Sequence, residues 1–172
     1  MENREPPATG ASPWTIRPAQ PGDEQGLFVL IGELARFEKL EHLVTGTPSD
    51  LAQHLFSTSP SAEALVALRA HRLVGYALFF PTFSTFLARP GLWLEDLFVT
   101  ESERGQGLGK RLLLQVAAIA RQRKAARLEW AVLDWNTRAI DFYEALGATV
   151  MPDWRVCRVT GTRLANLGTD SG

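Results

Sequence analysis

Residues 94–113 read LEDLFVTESERGQGLGKRLL, and the organisation of the chain follows from them. LEDLFV belongs to a stretch with the composition of a strand. Downstream, Leu112, Leu113, Val116, Ala117 and Ala120 recur at helical spacing, which predicts a helix beginning near Leu108. Glycines at 105, 107 and 109 fall between the two. A glycine-rich turn from strand to helix suits a phosphate group. Glycine lets backbone N–H groups turn inward around phosphate oxygens. The helix start adds unsatisfied N–H groups at the positive end of its dipole. Arg104 and Lys110 are the cations at hand. The bland alternative is a turn that binds nothing.

Spacing separates the known phosphate loops. A Walker A loop, counted back from Gly109 and Lys110, needs a glycine where Arg104 stands and a hydroxyl where Arg111 stands, so it fails twice. A dinucleotide fingerprint is met by Gly105 and Gly107 but finds Lys110 in place of its third glycine. The remaining pattern, R-x-x-G-x-G, is satisfied by Arg104, Gly107 and Gly109.

Composition sets the outer limits. The chain has 172 residues, 45% apolar and 22% charged, with a formal net charge of −1. That length suits one domain with a sizeable core, expected over 14–167, with 1–13 as a disordered leader and 168–172 as a tail. The balanced charge argues against nucleic acid as a partner. No apolar run reaches the roughly 18 residues of a membrane span, and the N-terminus lacks a signal-peptide core. The single Cys157 excludes an internal disulfide and a cysteine metal cluster. A cytoplasmic protein is expected.

Hydrophobic patterning fills in the rest. WTIRPA reads as a first strand. Asp23 is positioned to cap a helix in which Leu27, Leu30, Ile31, Leu34 and Phe37 share a face. A second short helix starts after Thr47 or Ser49. ALVALRA and LVGYALFF pair as antiparallel strands about His71 and Arg72, and PTFSTFLARPG is a loop. RLEWAVL is a buried strand, TRAIDFYEALG a helix closed at Gly147, and WRVCRVTG a last strand. This order predicts a mixed α/β sheet with helices on both faces.

The loop resembles the acetyl-CoA pyrophosphate loop of the GNAT acetyltransferases. A second segment, VLDWNTRAIDFYEALGA, resembles that family's asparagine- and tyrosine-bearing helix. The order YALFF, WLEDLFV, RGQGLGK, WNTRAIDFYEALGA and WRVCRV, together with LARFE in the first helix, is similar to the diamine (spermidine/spermine) and thialysine N-acetyltransferase branch. The likeness runs from about Trp14 to Thr160. It implies the GNAT fold, of the α+β type, with a mostly antiparallel twisted sheet of six to seven strands. It also implies acetyl-CoA as co-substrate and a homodimer.

Residue roles follow from the resemblance alone. Leu97, Phe98 and Val99 lie along the acetyl-pantetheine arm. Arg104, Gly105, Gln106, Gly107, Leu108, Gly109 and Lys110 wrap the pyrophosphate. Asn136 contacts the cofactor, and Tyr143 faces the departing sulfur as general acid. Glu95 touches the amine, directly or through water. Phe37, Glu38, Glu129, Trp130 and Ala131 border the amine site. The polyamine enzymes carry an acidic run before the last strand where this chain has V-M-P-D-W, leaving only Asp153. Their substrate-loop residues are replaced by Ser84, Thr85 and Phe86, so polyamine selectivity does not follow.

The expected reaction is direct acetyl transfer to a primary amine of a small cation, through a tetrahedral intermediate. An alkylammonium of pKa about 10.4 must be neutralised, which costs roughly 4.6 kcal/mol at pH 7. Glu95 is the candidate carboxylate, with Asp96 second to it; the alternative for both is a salt bridge to Arg104 or Lys110. A strand amide splayed by a bulge near Leu97 or Phe98 would receive the oxyanion. Tyr143, with a pKa near 10, can donate to a thiolate of pKa about 8.5 without special tuning; the alternative is a packed helix tyrosine. Glu38, Glu41 and Glu95 favour a cationic substrate. Cys157 lacks a histidine partner, and His42, His54 and His71 show no ligand spacing, so no metal is expected. A protein acetyltransferase and a non-catalytic acyl-CoA-binding module are the competing readings.

Overall fold

The computed structural model describes residues 12–168; the expected leader, apart from Ser12 and Pro13, and the tail beyond Gly168 lie outside the described residues. The chain divides at Ala131/Val132 into two compact units.

The first unit is built on an open sheet of five strands in the order β1-β2-β3-β4-β5. These are β1 (Trp14–Pro18), β2 (Glu63–Arg69), β3 (Arg72–Ser84), β4 (Arg89–Val99) and β5 (Leu128–Glu129). The first three pairings are antiparallel and β4–β5 is parallel. Around the sheet lie α1 (Glu24–Glu38), α2 (Pro48–Phe56) and α3 (Leu108–Gln122). The mixed α/β class holds, with five strands among the described residues rather than six or seven.

Alternation along β3 assigns the helices to opposite faces. Tyr76 joins Leu27 and Leu30 of α1, Leu55 of α2, and Val66 and Phe98 in one buried cluster. Gly75, its neighbour, turns the other way, where a Cβ would meet Leu112 of α3 at 3.5 Å. That same Cβ would come within 2.8 Å of the Phe98 carbonyl, so only glycine lets β3 and β4 approach here. Leu108, Leu112, Leu113, Val116 and Ala120 are buried along α3, matching the predicted stripe.

Local chemistry explains several boundaries. Thr47 and Asp50 form a reciprocal capping box, with Pro48 opening α2. Asp23 precedes α1 but does not cap it. Its carboxylate binds Arg17 at 2.5 and 2.9 Å and the Gln20 N–H at 2.8 Å, because the β1 guanidinium is the stronger partner. The expected loop PTFSTFLARPG is mostly strand, leaving a turn at 85–88. Pro81 is tolerated in β3 because its partner Leu92 sends its N–H to Arg127 on the far side. The Pro81 nitrogen therefore faces the side on which β2 has already ended at Glu63.

The second unit contains α4 (Thr137–Glu144) and α5 (Gly161–Asn166). Asn136 Oδ1 caps α4 by accepting the Ala139 N–H at 3.3 Å. Gly147, at φ +89°, closes the helical run, with Gly147 N–H to Glu144 and Ala148 N–H to Tyr143. WRVCRVTG was expected to be a strand and is not. Residues 151–168 are exposed throughout, and an isolated strand has no ladder to stabilise it. No helix among the described residues is long and apolar enough to cross a membrane.

Candidate active site

Two glycines of the turn take a backbone conformation that other residues avoid. Gly105 and Gly107 stand at φ +75° and +89°, the left-handed region, and a Cβ on either would meet nothing within 4 Å. Glycine is required there by conformation, not by space. Gly107 is the N-cap residue of α3 and offers no side-chain cap. The first-turn N–H groups of α3 are thus left for an anion. Gly109 lies inside the first helical turn, and Lys110 is exposed beside it.

The approach to the turn is anchored. Glu103 is buried, accepts Trp14 Nε1 at 2.8 Å and Arg69 Nη1 at 2.9 and 3.0 Å, and so ties the loop to β1 and β2. The Trp14 hydrogen bond, then that from Arg69, holds its carboxyl below the usual range. Arg104 is tethered by contacts of its own. Its Nε donates to the Val99 carbonyl at 2.9 Å, and its guanidinium lies 4.9 Å from the Phe37 ring centroid and 5.5 Å from that of Phe98. These contacts join the loop to the end of α1, where Lys39 at φ +61° stops the helix just after Phe37 and Glu38.

A bulge in β4 assembles the carboxylates. Leu78 pairs with Asp96 and Phe79 with Leu94, leaving Glu95 as the extra residue. A bulge sets consecutive side chains out of strict alternation, so Glu95 and Asp96 act together. Tyr76 Oη donates to Asp96 Oδ2 at 3.0 Å, while Glu95 accepts Trp93 Nε1 at 2.8 Å. Among the described residues neither carboxylate is in an ion pair, which removes the salt-bridge alternative. Burial pushes Asp96 from 3.8 up to about 6, against the Tyr76 hydrogen bond and with added repulsion from Glu95 and Glu38. Burial also raises Glu38 and, with Asp96 beside it, raises Tyr76. Three carboxylates converge here without a counter-cation among their named partners.

Beyond Trp93 the edge of β4 away from β3 has no strand partner among the described residues. β5 pairs with β4 only at Leu92 and Trp93. The Thr100 N–H bonds Val74, so alternation turns the Phe98 peptide toward β3 and the N–H groups of Leu97 and Val99 toward the open edge. The bulge lies at Glu95, upstream of the expected position, and the outward donors are Leu97 and Val99 rather than Phe98.

The other expected positions are described within their own units. Glu129 is held by Arg127 at 2.6 Å, with Trp130 and Ala131 following it in the first unit. Asn136, Tyr143 and Asp153 belong to the second unit. There the Asn136 side chain caps α4, the Tyr143 ring lies 5.2 Å from that of Phe142, and Asp153 is exposed. Tyr76 was missed as a site residue: its strand was legible, but its partner depends on the bulge register.

Comparison with known proteins identifies the family. Residues 32–148 match the Acetyltransferase (GNAT) family. The chain is 34% identical to L-ornithine N5-acetyltransferase NATA1 of Arabidopsis thaliana, over 87% of this chain and 85% of that one. It is 36% identical to the thialysine N-epsilon-acetyltransferase of Bos taurus, over 88% of this chain and 95% of that one. An integron cassette protein from the mobile metagenome of V. cholerae shares the fold, with a TM-score of 0.76 and 25% identity over 91% of this chain and 98% of that one. The chain is therefore an acetyltransferase of the GNAT family, in the branch that holds the ornithine and thialysine enzymes.

Proposed function

We propose that this chain transfers an acetyl group from acetyl-CoA to a primary amine of a small cation, with lysine- and ornithine-like amines ahead of polyamines. The observation that carries this reading is the convergence of Glu38, Glu95 and Asp96 beside the open edge of β4. Uncompensated carboxylates favour a cationic substrate and disfavour a neutral one. The relatives named for ornithine and thialysine support the same class.

The residues fit acetyl-CoA. The uncapped start of α3 and the left-handed backbone at Gly105 and Gly107 suit a diphosphate. The outward amides of Leu97 and Val99 suit an extended amide-bearing arm, and the Leu97 N–H suits a developing oxyanion. When bound, acetyl-CoA supplies an acetyl thioester. Glu95, at the exposed rim, gathers the ammonium and accepts its proton directly or through water. Asn136 and Tyr143 keep the roles the family likeness implies, Tyr143 donating a proton to the leaving thiolate.

The match to the family runs across the division at Ala131/Val132, which supports one catalytic domain over 14–167. A homodimer is proposed from the exposed apolar side chains of Trp154, Val156 and Val159, which a second copy could cover. The lone cysteine supports a cytoplasmic location. The test is thiol release from acetyl-CoA with a panel of amines. Turnover with ornithine, thialysine or short diamines supports the proposal. Turnover with peptides alone favours a protein acetyltransferase, and turnover with nothing favours a binding module.

A further inference from the structure

We propose that Asp96, positioned by the buried Tyr76 hydroxyl, is the terminal acceptor of the proton that leaves the amine; this rests on the amine-acetyltransferase reading above. Glu95 is exposed and bound to Trp93, a rim position suited to capturing an ammonium. Asp96 is the next residue, only partly exposed, and stands behind it.

Geometry divides the two oxygens of Asp96. Tyr76 has no solvent exposure, and its hydroxyl has Asp96 Oδ2 as its hydrogen-bond partner at 3.0 Å. The surroundings keep that phenol protonated, so it donates. Oδ2 is thereby occupied as an acceptor, and Oδ1 is left for an incoming proton. The titratable groups around this carboxyl are Glu38 at the end of α1, Glu95 on β4 and the neutral Tyr76 phenol on β3. Arg104, on the loop packed against α1, is turned to the Val99 carbonyl and to the rings of Phe37 and Phe98. Taking up a proton at Asp96 relieves repulsion among three carboxylates, whereas a proton on an exposed carboxylate is readily shared with water.

The step balances. An N–H bond of the ammonium breaks as an O–H bond forms at Asp96 Oδ1, directly or through Glu95 or a water. The electron pair of the broken bond remains on nitrogen as the lone pair that attacks the thioester. Charge passes from one cation and one anion to two neutral groups, which suits a partly buried site. Lifting the carboxyl from 3.8 to about 6 makes it roughly a hundredfold better proton acceptor than an ordinary aspartate. Tyr76 acts through Asp96 and is a positioning residue.

The test is the pH dependence of kcat and kcat/KM for ornithine or a short diamine at saturating acetyl-CoA, with carboxyl-carbon NMR of Asp96 as a direct titration. Wild type should show an acidic limb near pH 6, matching the Asp96 resonance. Asp96→Asn should remove that limb and lower kcat about a hundredfold, with a small change in amine KM. Tyr76→Phe should move limb and resonance upward together by about one pH unit, giving a tenfold loss at pH 5 that recovers by pH 8. A merely structural role would not restore rate at high pH. Wild-type turnover with an Asp96→Asn variant that keeps both limb and kcat overturns this proposal alone. A wild-type chain that acetylates no amine overturns it together with the functional reading.

Discussion

Replacing Asp96 by asparagine should make the protein more stable, although it removes a site carboxylate. Burial pushes the native Asp96 carboxyl up to about 6, against 3.8 for an ordinary aspartate. Between those values the folded chain holds a proton that the unfolded chain has already released, so stability falls as pH rises through the window. Above the upper value the ionised, crowded carboxylate costs about 3 kcal/mol. Asparagine removes that cost and still offers an oxygen to the Tyr76 hydroxyl, so no buried donor is orphaned. For a chain of this size about 3 kcal/mol corresponds to a Tm increase of about 6–12 °C. The assay is thermal unfolding of both proteins at matched ionic strength, at pH 4 and at pH 7.5. The gain should be near zero at the lower pH and full at the higher. A gain of the same size at both, or a loss at pH 7.5, would refute the reasoning that burial and like charge act on Asp96.

Three further outcomes are expected. Tyr143→Phe should lower turnover at least about tenfold with little change in acetyl-CoA affinity, measured by steady-state kinetics beside calorimetry; unchanged turnover removes Tyr143 from the chemistry. Gly75→Ala should destabilise by about 1–3 kcal/mol, because its Cβ would press to 2.8 Å on the Phe98 carbonyl of the neighbouring strand; an unchanged denaturation midpoint would contradict that packing. Asp23→Asn should flatten the loss of stability on acidification. Arg17 holds the Asp23 carboxyl below its usual range, so its contribution is present above the unfolded pKa and lost as pH falls through the lower folded value. A variant with the wild-type acid limb would show that Arg17 and Asp23 do not carry it.

Much of this was legible in the chain because short-range spacing encodes it. The α3 stripe, the β2–β3 hairpin and the left-handed close at Gly147 follow from local periodicity and the special conformations of glycine. Features that depend on register were not. Pro81 looked like a loop residue until its pairing showed its nitrogen facing past the end of β2. The bulge at Glu95 has no sequence signature, yet it joins Glu95 to Asp96 and aims Asp96 at Tyr76. Asp23 was read as a cap because capping is a local rule, whereas its actual partner, Arg17, comes from a neighbouring element. WRVCRV has strand periodicity but, among the described residues, no ladder to join, and periodicity cannot supply one. Arg104 shows the same limit: its contacts with Phe37, Phe98 and Val99 come from the fold and have no signature in the loop motif.

The central claim is that the glycine turn before α3 holds the diphosphate of acetyl-CoA, and titration calorimetry of wild type beside Gly107→Ala tests it most directly. Gly107 stands at φ +89° with open space around it, so an added Cβ strains the backbone by about 1–2 kcal/mol without filling a binding cavity. Wild type should bind acetyl-CoA, and the variant should bind it about tenfold or more weakly. Absence of measurable binding by wild type, or equal affinity in the variant, would contradict the account.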